Sequence, residues 1–216
     1  MRESVVPEAL VDALAVVGFL SGESLVTAPD SVRRPVAFGE VHLFTYLGCL
    51  LSLYRRQPTA SWGYLFVRTD SGLPFASPVS VALDSLARSG LVEHSADEGL
   101  FLTNRGRESL HQFGTFDLMR YRVDVIRAAC DAAITIPPTV IRQAMSAEPG
   151  LSLAANRALH TTLGSEGSRE TLYNQFKTLH RVLGMEAGNL LIPAMAWLTY
   201  LSETVTATMD VTPSPH

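Results

Sequence analysis

Apolar side chains recur along this chain at helical spacing, and clusters of Ser, Pro and Gly divide the pattern into blocks. Residues 7–22 open it. Leu10, Val11, Leu14, Val17 and Leu20 mark a helical face, and Glu8 and Asp12 stand near the start, where the helix macrodipole favours acids. A loop over 21–35 ends at Arg33-Arg34-Pro35, where the proline holds the preceding arginine extended. Residues 40–55 are apolar nearly all round, from Val41 through Tyr54, which predicts a helix central to its domain and stopped by Pro58. Trp62-Gly63-Tyr64-Leu65-Phe66 then reads as a loop and Ser71-Gly72-Leu73-Pro74 as a turn.

Ser77-Pro78 predicts the next helix, with Ser77 as N-cap, Pro78 in the first helical position and Gly90 just past the end. Val79, Leu83 and Leu86 form its buried face. Residues 91–95 and 100–103 alternate around Ala96-Asp97-Glu98-Gly99, which predicts a hairpin, and Thr103 or Asn104 caps a further helix through Arg107, Leu110 and Phe113. Helix, helix, two-stranded hairpin, helix is the order of a winged-helix domain. The expected fold class is therefore mainly α, α+β by virtue of the wing hairpin, with a winged-helix domain over 36–114 followed by a helical region over 115–205. The helical region divides into 117–133, 139–147, 151–163, 170–183 and 186–205, with 164–168 as a flexible connection. Arg120, Asp124 and Arg127 are expected to face outward from the first of these helices. Residues 1–35 are expected to be an N-terminal helix and linker, and 206–216 a polar, flexible tail.

Composition narrows the function classes. Among 216 residues the formal net charge is −4 and only 18% are charged, which argues against non-specific wrapping of nucleic acid. The would-be recognition helix, 78–89, presents Ser80, Asp84, Ser85 and Arg88 outward, and the wing tip is Asp97-Glu98. Neither suits a phosphate backbone. Arg33, Arg34, Arg55, Arg56, Arg68, Arg105 and Arg107 read as a solvated surface set, with a gathered basic patch as the alternative. Cys49 and Cys130 sit in apolar contexts and read as buried, inert thiols.

The longest apolar run, 189–201, contains Pro193 and is too short for a bilayer span, and Glu3, Glu8 and Asp12 do not suit a signal peptide. A cytoplasmic protein without membrane contact is expected. The histidines at 42, 94, 111, 160, 180 and 216 are scattered, 164–168 lacks the lysine of a phosphate loop, and no serine stands in a nucleophile elbow. The expectation is a protein that is not an enzyme, with no catalytic, cofactor or metal residues.

Four stretches carry a family resemblance: Glu40-Val41-x-Leu43-x-x-Tyr46-Leu47-x-Cys49-Leu50, Trp62-Gly63-Tyr64-x-Phe66, Pro74-Phe75-x-Ser77, and Leu86-x-x-x-Gly90-Leu91-Val92 through Leu102-Thr103-x-x-Gly106. Covering about a third of the chain, they resemble the winged-helix middle component of bacterial three-component ABC- and SMC-type defence systems of the Lamassu kind. Those components are comparable to the kleisin-interacting (KITE-like) tandem winged-helix subunits of SMC complexes. The resemblance implies a non-catalytic accessory subunit in anti-phage or anti-plasmid defence. Its partners would be an SMC-like or ABC ATPase subunit and an effector subunit, with DNA touched only indirectly or weakly. On this reading Trp62, Tyr64 and Phe66 anchor the partner, together with Leu191, Trp197 and Tyr200 on the over-apolar last helix. The aromatic segment equally reads as a satellite of its own core, and the sequence leaves both readings open. Residues 115–203 show no clear second winged helix, a departure from the tandem arrangement. Two other classes compete: a homodimeric winged-helix transcriptional regulator and an antitoxin-like masking module.

Overall fold

A computed structural model describes residues 4–22, 34–94, 99–155, 162–163, 166–184 and 190–209. Helix α1 (Pro7–Leu20) begins on a proline, whose missing N–H costs nothing in a first turn, and every residue from Val11 to Leu20 is buried. A helix buried on all sides belongs at the centre of its domain. It packs on α2 (Phe38–Leu51), α3 (Ser77–Arg88), α4 (Asn104–Thr115) and α5 (Asp117–Thr135). Instead of standing apart as an N-terminal appendage, α1 is the hub around which the next hundred or so residues assemble.

Strands β1 (Val36–Ala37), β4 (Val92–His94) and β5 (Gly99–Leu102) form an antiparallel sheet in the order β1-β5-β4, with Val36 opposite Leu100 and Val92 opposite Leu102. Those four side chains are buried and close one end of the core. The hairpin expected around 96–99 is present as β4 and β5, although its acidic tip lies outside the described residues. β1 was not part of that expectation: a two-residue strand is too short to show a period.

Between α2 and α3 lies a substantial insertion. α2 ends at Leu51 and tightens into a 3₁₀ turn, Ser52–Arg55, which Arg56 terminates in left-handed geometry (φ 60°) before Pro58 is reached. A second 3₁₀ turn, Thr59–Trp62, leads to a small hairpin of β2 (Val67–Arg68) and β3 (Pro74–Phe75). The cap of α3 also differs from expectation. Ala76, not Ser77, occupies the N-cap position, and its N–H donates to His42 Nδ1 (3.3 Å). Gly90 ends α3 at φ 67°, as the sequence predicts, and of the two cap candidates Thr103 and Asn104 it is the Thr103 hydroxyl that caps α4, accepting from Gly106 N–H (3.0 Å).

The C-terminal half continues the same core. α5 crosses α2 closely, since a Cβ on Gly48 would lie 2.9 Å from Ile126 Cγ1. α6 (Pro138–Ala147) packs on α9 (Leu191–Met209), α9 on α5, and α8 (Glu166–Leu183) on α7 (Pro149–Ala155) and α9. The helix expected over 151–163 does not reach its end, because Thr162 forms an antiparallel bridge with Val67 and Leu163 N–H donates to Phe66 O (2.8 Å). α8 begins inside the expected flexible connection, and α9 runs into the expected tail. One hydrophobic cluster extends from Ala9 through Leu201, so the boundaries drawn at 35 and 114 do not separate cores. No helix among the described residues is long and apolar enough to cross a membrane.

Candidate functional site

An open cleft of about 1130 Å³ lies between α2, the β2–β3 hairpin and the α5–α7 corner. Its geometry follows from local chemistry. Ile136 is held extended (φ −94°, ψ 138°) ahead of Pro137, which ends α5, and Pro138 opens α6 in a new direction. On the facing side, Thr69 Oγ1 ties the hairpin turn to Leu73 N–H (3.2 Å), and Gly72 takes φ 83° at its tip. A side chain at position 72 would be strained, and its Cβ would stand 3.2 Å from the Arg68 guanidinium.

Apolar residues Leu43, Phe44, Ile141, Met145 and Leu151 line this cleft, with Arg34, Arg68 and Arg142 among them and Glu40 as the one carboxylate among the described residues. Glu40 is already engaged. It accepts from Ala37 N–H (2.9 Å) at the start of α2 and pairs with Arg34 (2.9 Å). Arg68 and Arg142 have no ion-pair partner among the described residues. Guanidinium donors beside an apolar floor supply recognition chemistry: hydrophobic burial plus charge-assisted hydrogen bonds to an anion.

The six residues expected at a partner interface are distributed otherwise. Trp62 (2% exposed), Tyr64, Phe66 and Trp197 (2% exposed) are buried. Trp62 lies beneath the Arg122 guanidinium (3.9 Å to the ring centroid), Phe66 packs edge-on to Tyr46 (5.1 Å), and Trp197 packs on Phe176 (4.9 Å) while its Nε1–H donates to Gln175 (3.1 Å). The chain's own core consumes these rings, so they are not surface anchors. Leu191 is half-buried, and Tyr200, at 50% exposed, is the most accessible of the six. Within the aromatic segment the side chain facing solvent is Leu65.

The polar groups that the fold does bring together were not among those candidates. Asp12, expected as a first-turn acid, is wholly buried. It accepts from Arg122 Nε (3.0 Å) and Nη2 of α5 and from the Tyr64 hydroxyl (2.6 Å). Burial pushes its carboxyl up, against the pull of Arg122 and Tyr64. Glu148, also fully buried, accepts from Tyr46 Oη (3.0 Å), Gly150 N–H (2.9 Å) and Leu151 N–H (2.7 Å). Arg127, expected outward, lies over the Phe19 ring at 4.7 Å. Cys49 and Cys130 are free and buried, as expected, and burial raises both thiols. An acid at Asp12 on an otherwise apolar face was the one sequence signal for this cluster.

Among the described residues no three His, Cys, Asp or Glu side chains gather into a metal-binding group. The chain matches no protein-family model, no curated protein and no solved structure.

Proposed function

We propose that this chain is a non-catalytic accessory subunit, built on a winged helix, that scaffolds an SMC-like or ABC ATPase and its effector in a bacterial anti-phage or anti-plasmid defence complex. The connectivity α1-β1-α2-α3-β4-β5 with sheet order β1-β5-β4 supports the winged-helix part. In that arrangement the strand ahead of the second helix pairs beyond the wing hairpin, and α3 takes the place of the recognition helix.

The observation that carries the protein-binding part is the character of α3. Its charged residues are one exposed acid, Asp84, and one exposed base, Arg88, whose Nε–H is turned back onto Asp84 O (3.1 Å). A helix that reads DNA needs several free donors for phosphates and base edges. With that face unsuited to a duplex, the accessible apolar positions elsewhere favour a protein partner.

The test is affinity purification of the tagged full chain, expressed with its genomic neighbours, followed by mass spectrometry. A coiled-coil ATPase recovered in fixed ratio is the expected result. Recovery of the chain as a lone homodimer that shifts duplex DNA, with steep salt dependence, would replace this reading with a transcriptional regulator.

A further inference from the structure

The cleft framed by α2, the β2–β3 hairpin and α5–α7 combines three features. Its floor is apolar and largely buried. Two of its lining residues, Leu73 (38% exposed) and Ile134 (63% exposed), are large apolar side chains left in contact with water. Its charges do not balance: Glu40 is matched by Arg34, while Arg68 and Arg142 are unmatched among the described residues, in a chain whose overall charge is −4. The local charge is thus opposite in sign to that of the whole protein.

We infer that this cleft is the docking site for a segment of a partner protein that is apolar along one side and carries Asp or Glu at its margin, with Arg68 and Arg142 receiving the carboxylates. The inference rests on the accessory-subunit reading only in assigning the segment to the ATPase complex. An open cleft of about 1130 Å³ stands at the upper end of the roughly 300–1,000 Å³ of ligand clefts and cavities and has room for a short peptide segment.

Charge then selects among peptides. Arg68 is half-buried along the hairpin, so covering the cleft would strip its remaining water. A purely apolar segment would leave that guanidinium desolvated and unpaired, and a basic one would add repulsion, whereas a carboxylate restores paired hydrogen bonds. Leu73 and Ile134 supply apolar margins that close over the segment and exclude water around those contacts.

A display library of random 16-residue peptides panned on the full-length chain tests this directly. Acidic–apolar sequences should be enriched. Their affinity should fall about tenfold or more in the Arg68→Glu/Arg142→Glu variant and stay unchanged in Arg88→Glu, which alters α3 outside the cleft. Melting curves of both variants should match that of the parent chain. Enrichment of basic or uncharged peptides, or binding indifferent to R68E/R142E, overturns the assignment. So does an anionic lipid that copurifies with the chain and blocks the peptides.

Partner recovery separates this inference from the one above. If the ATPase copurifies equally with R68E/R142E, the docking site falls and the accessory-subunit reading stands. If peptides bind as described but no ATPase copurifies with the parent chain, the docking site stands and that reading falls.

Discussion

Arg122 on α5 grips the carboxylate of Asp12 on α1 through Nε (3.0 Å) and Nη2, in a site where both side chains are almost entirely buried. Trp62 stacks on the guanidinium and Tyr64 donates to the acid. The pair therefore joins the first helix, the insertion after α2 and the start of the C-terminal half. Removing one partner leaves an uncompensated buried charge, so Asp12→Ala and Arg122→Ala should each cost about 3–5 kcal/mol in urea unfolding. Asp12→Leu/Arg122→Met, which removes both charges and keeps volume, should recover most of that loss. Additive destabilisation in the double variant would mean that the two groups are not coupled.

His42 makes stability depend on pH. Its Nδ1 accepts from Ala76 N–H, and Nε2 faces Ser80 Oγ at 3.2 Å, so the neutral ring with its proton on Nε2 fits the site. Burial lowers its pKa to about 4. The unfolded chain protonates His42 near the ordinary value of about 6.5, whereas the folded chain resists until about 4. Between those values the unfolded state binds the extra proton. Stability from this residue is thus complete above about pH 6.5, declines as pH falls, and levels off below about 4, a loss on the order of 3 kcal/mol. Chemical unfolding from pH 7.5 to 4 should show a slope that His42→Gln reduces. Parallel curves for the two proteins would exclude His42 as the source.

Much of this architecture was legible because its signals are local. Thr103, Gly90 and the alternation on either side of 95–98 each dictate a backbone conformation through their own chemistry, and the structure follows them. The misreadings occur where distant residues decide. Ala76 stands at the N-cap of α3 with its N–H held by His42, 34 positions earlier. The rings of Trp62 and Tyr64 are buried against Arg122 and Asp12, which lie on two other helices. The cleft is assembled from α2, a hairpin and three later helices, so no spacing along the chain could announce it.

Gly106 and Gly114 lie on the same helix, α4, and should respond oppositely to alanine. A Cβ at 106 would come within 2.1 Å of Leu91 O and 2.8 Å of Leu102 Cδ1, so the helix start is pressed against the β4–β5 hairpin. Gly106→Ala must push α4 off that hairpin and should destabilise by roughly 1–3 kcal/mol or more. A Cβ at 114 meets nothing within 4 Å. Gly114→Ala should stabilise by about 0.4–1 kcal/mol, because the alanine restricts the unfolded chain and fits the helix. Thermal melts of the two variants check both signs.

Glu148 sits beside the cleft and ties α2 to the start of α7. Three donors converge on its two oxygens: Tyr46 Oη, Gly150 N–H and Leu151 N–H. Burial pushes its pKa upward while all three donors pull it down. Gly150 and Leu151 N–H can only donate, so each carboxyl oxygen must turn a lone pair to one of them. Glutamine cannot do this, since its NH₂ cannot accept. Glu148→Gln should therefore cost on the order of 2 kcal/mol, close to Glu148→Ala. Tyr46→Phe, which removes one donor and leaves the others paired, should cost about 1 kcal/mol. Equilibrium unfolding at pH 7 ranks the three. Wild-type stability in Glu148→Gln would show that one of the two N–H bonds to this side chain contributes nothing to the fold.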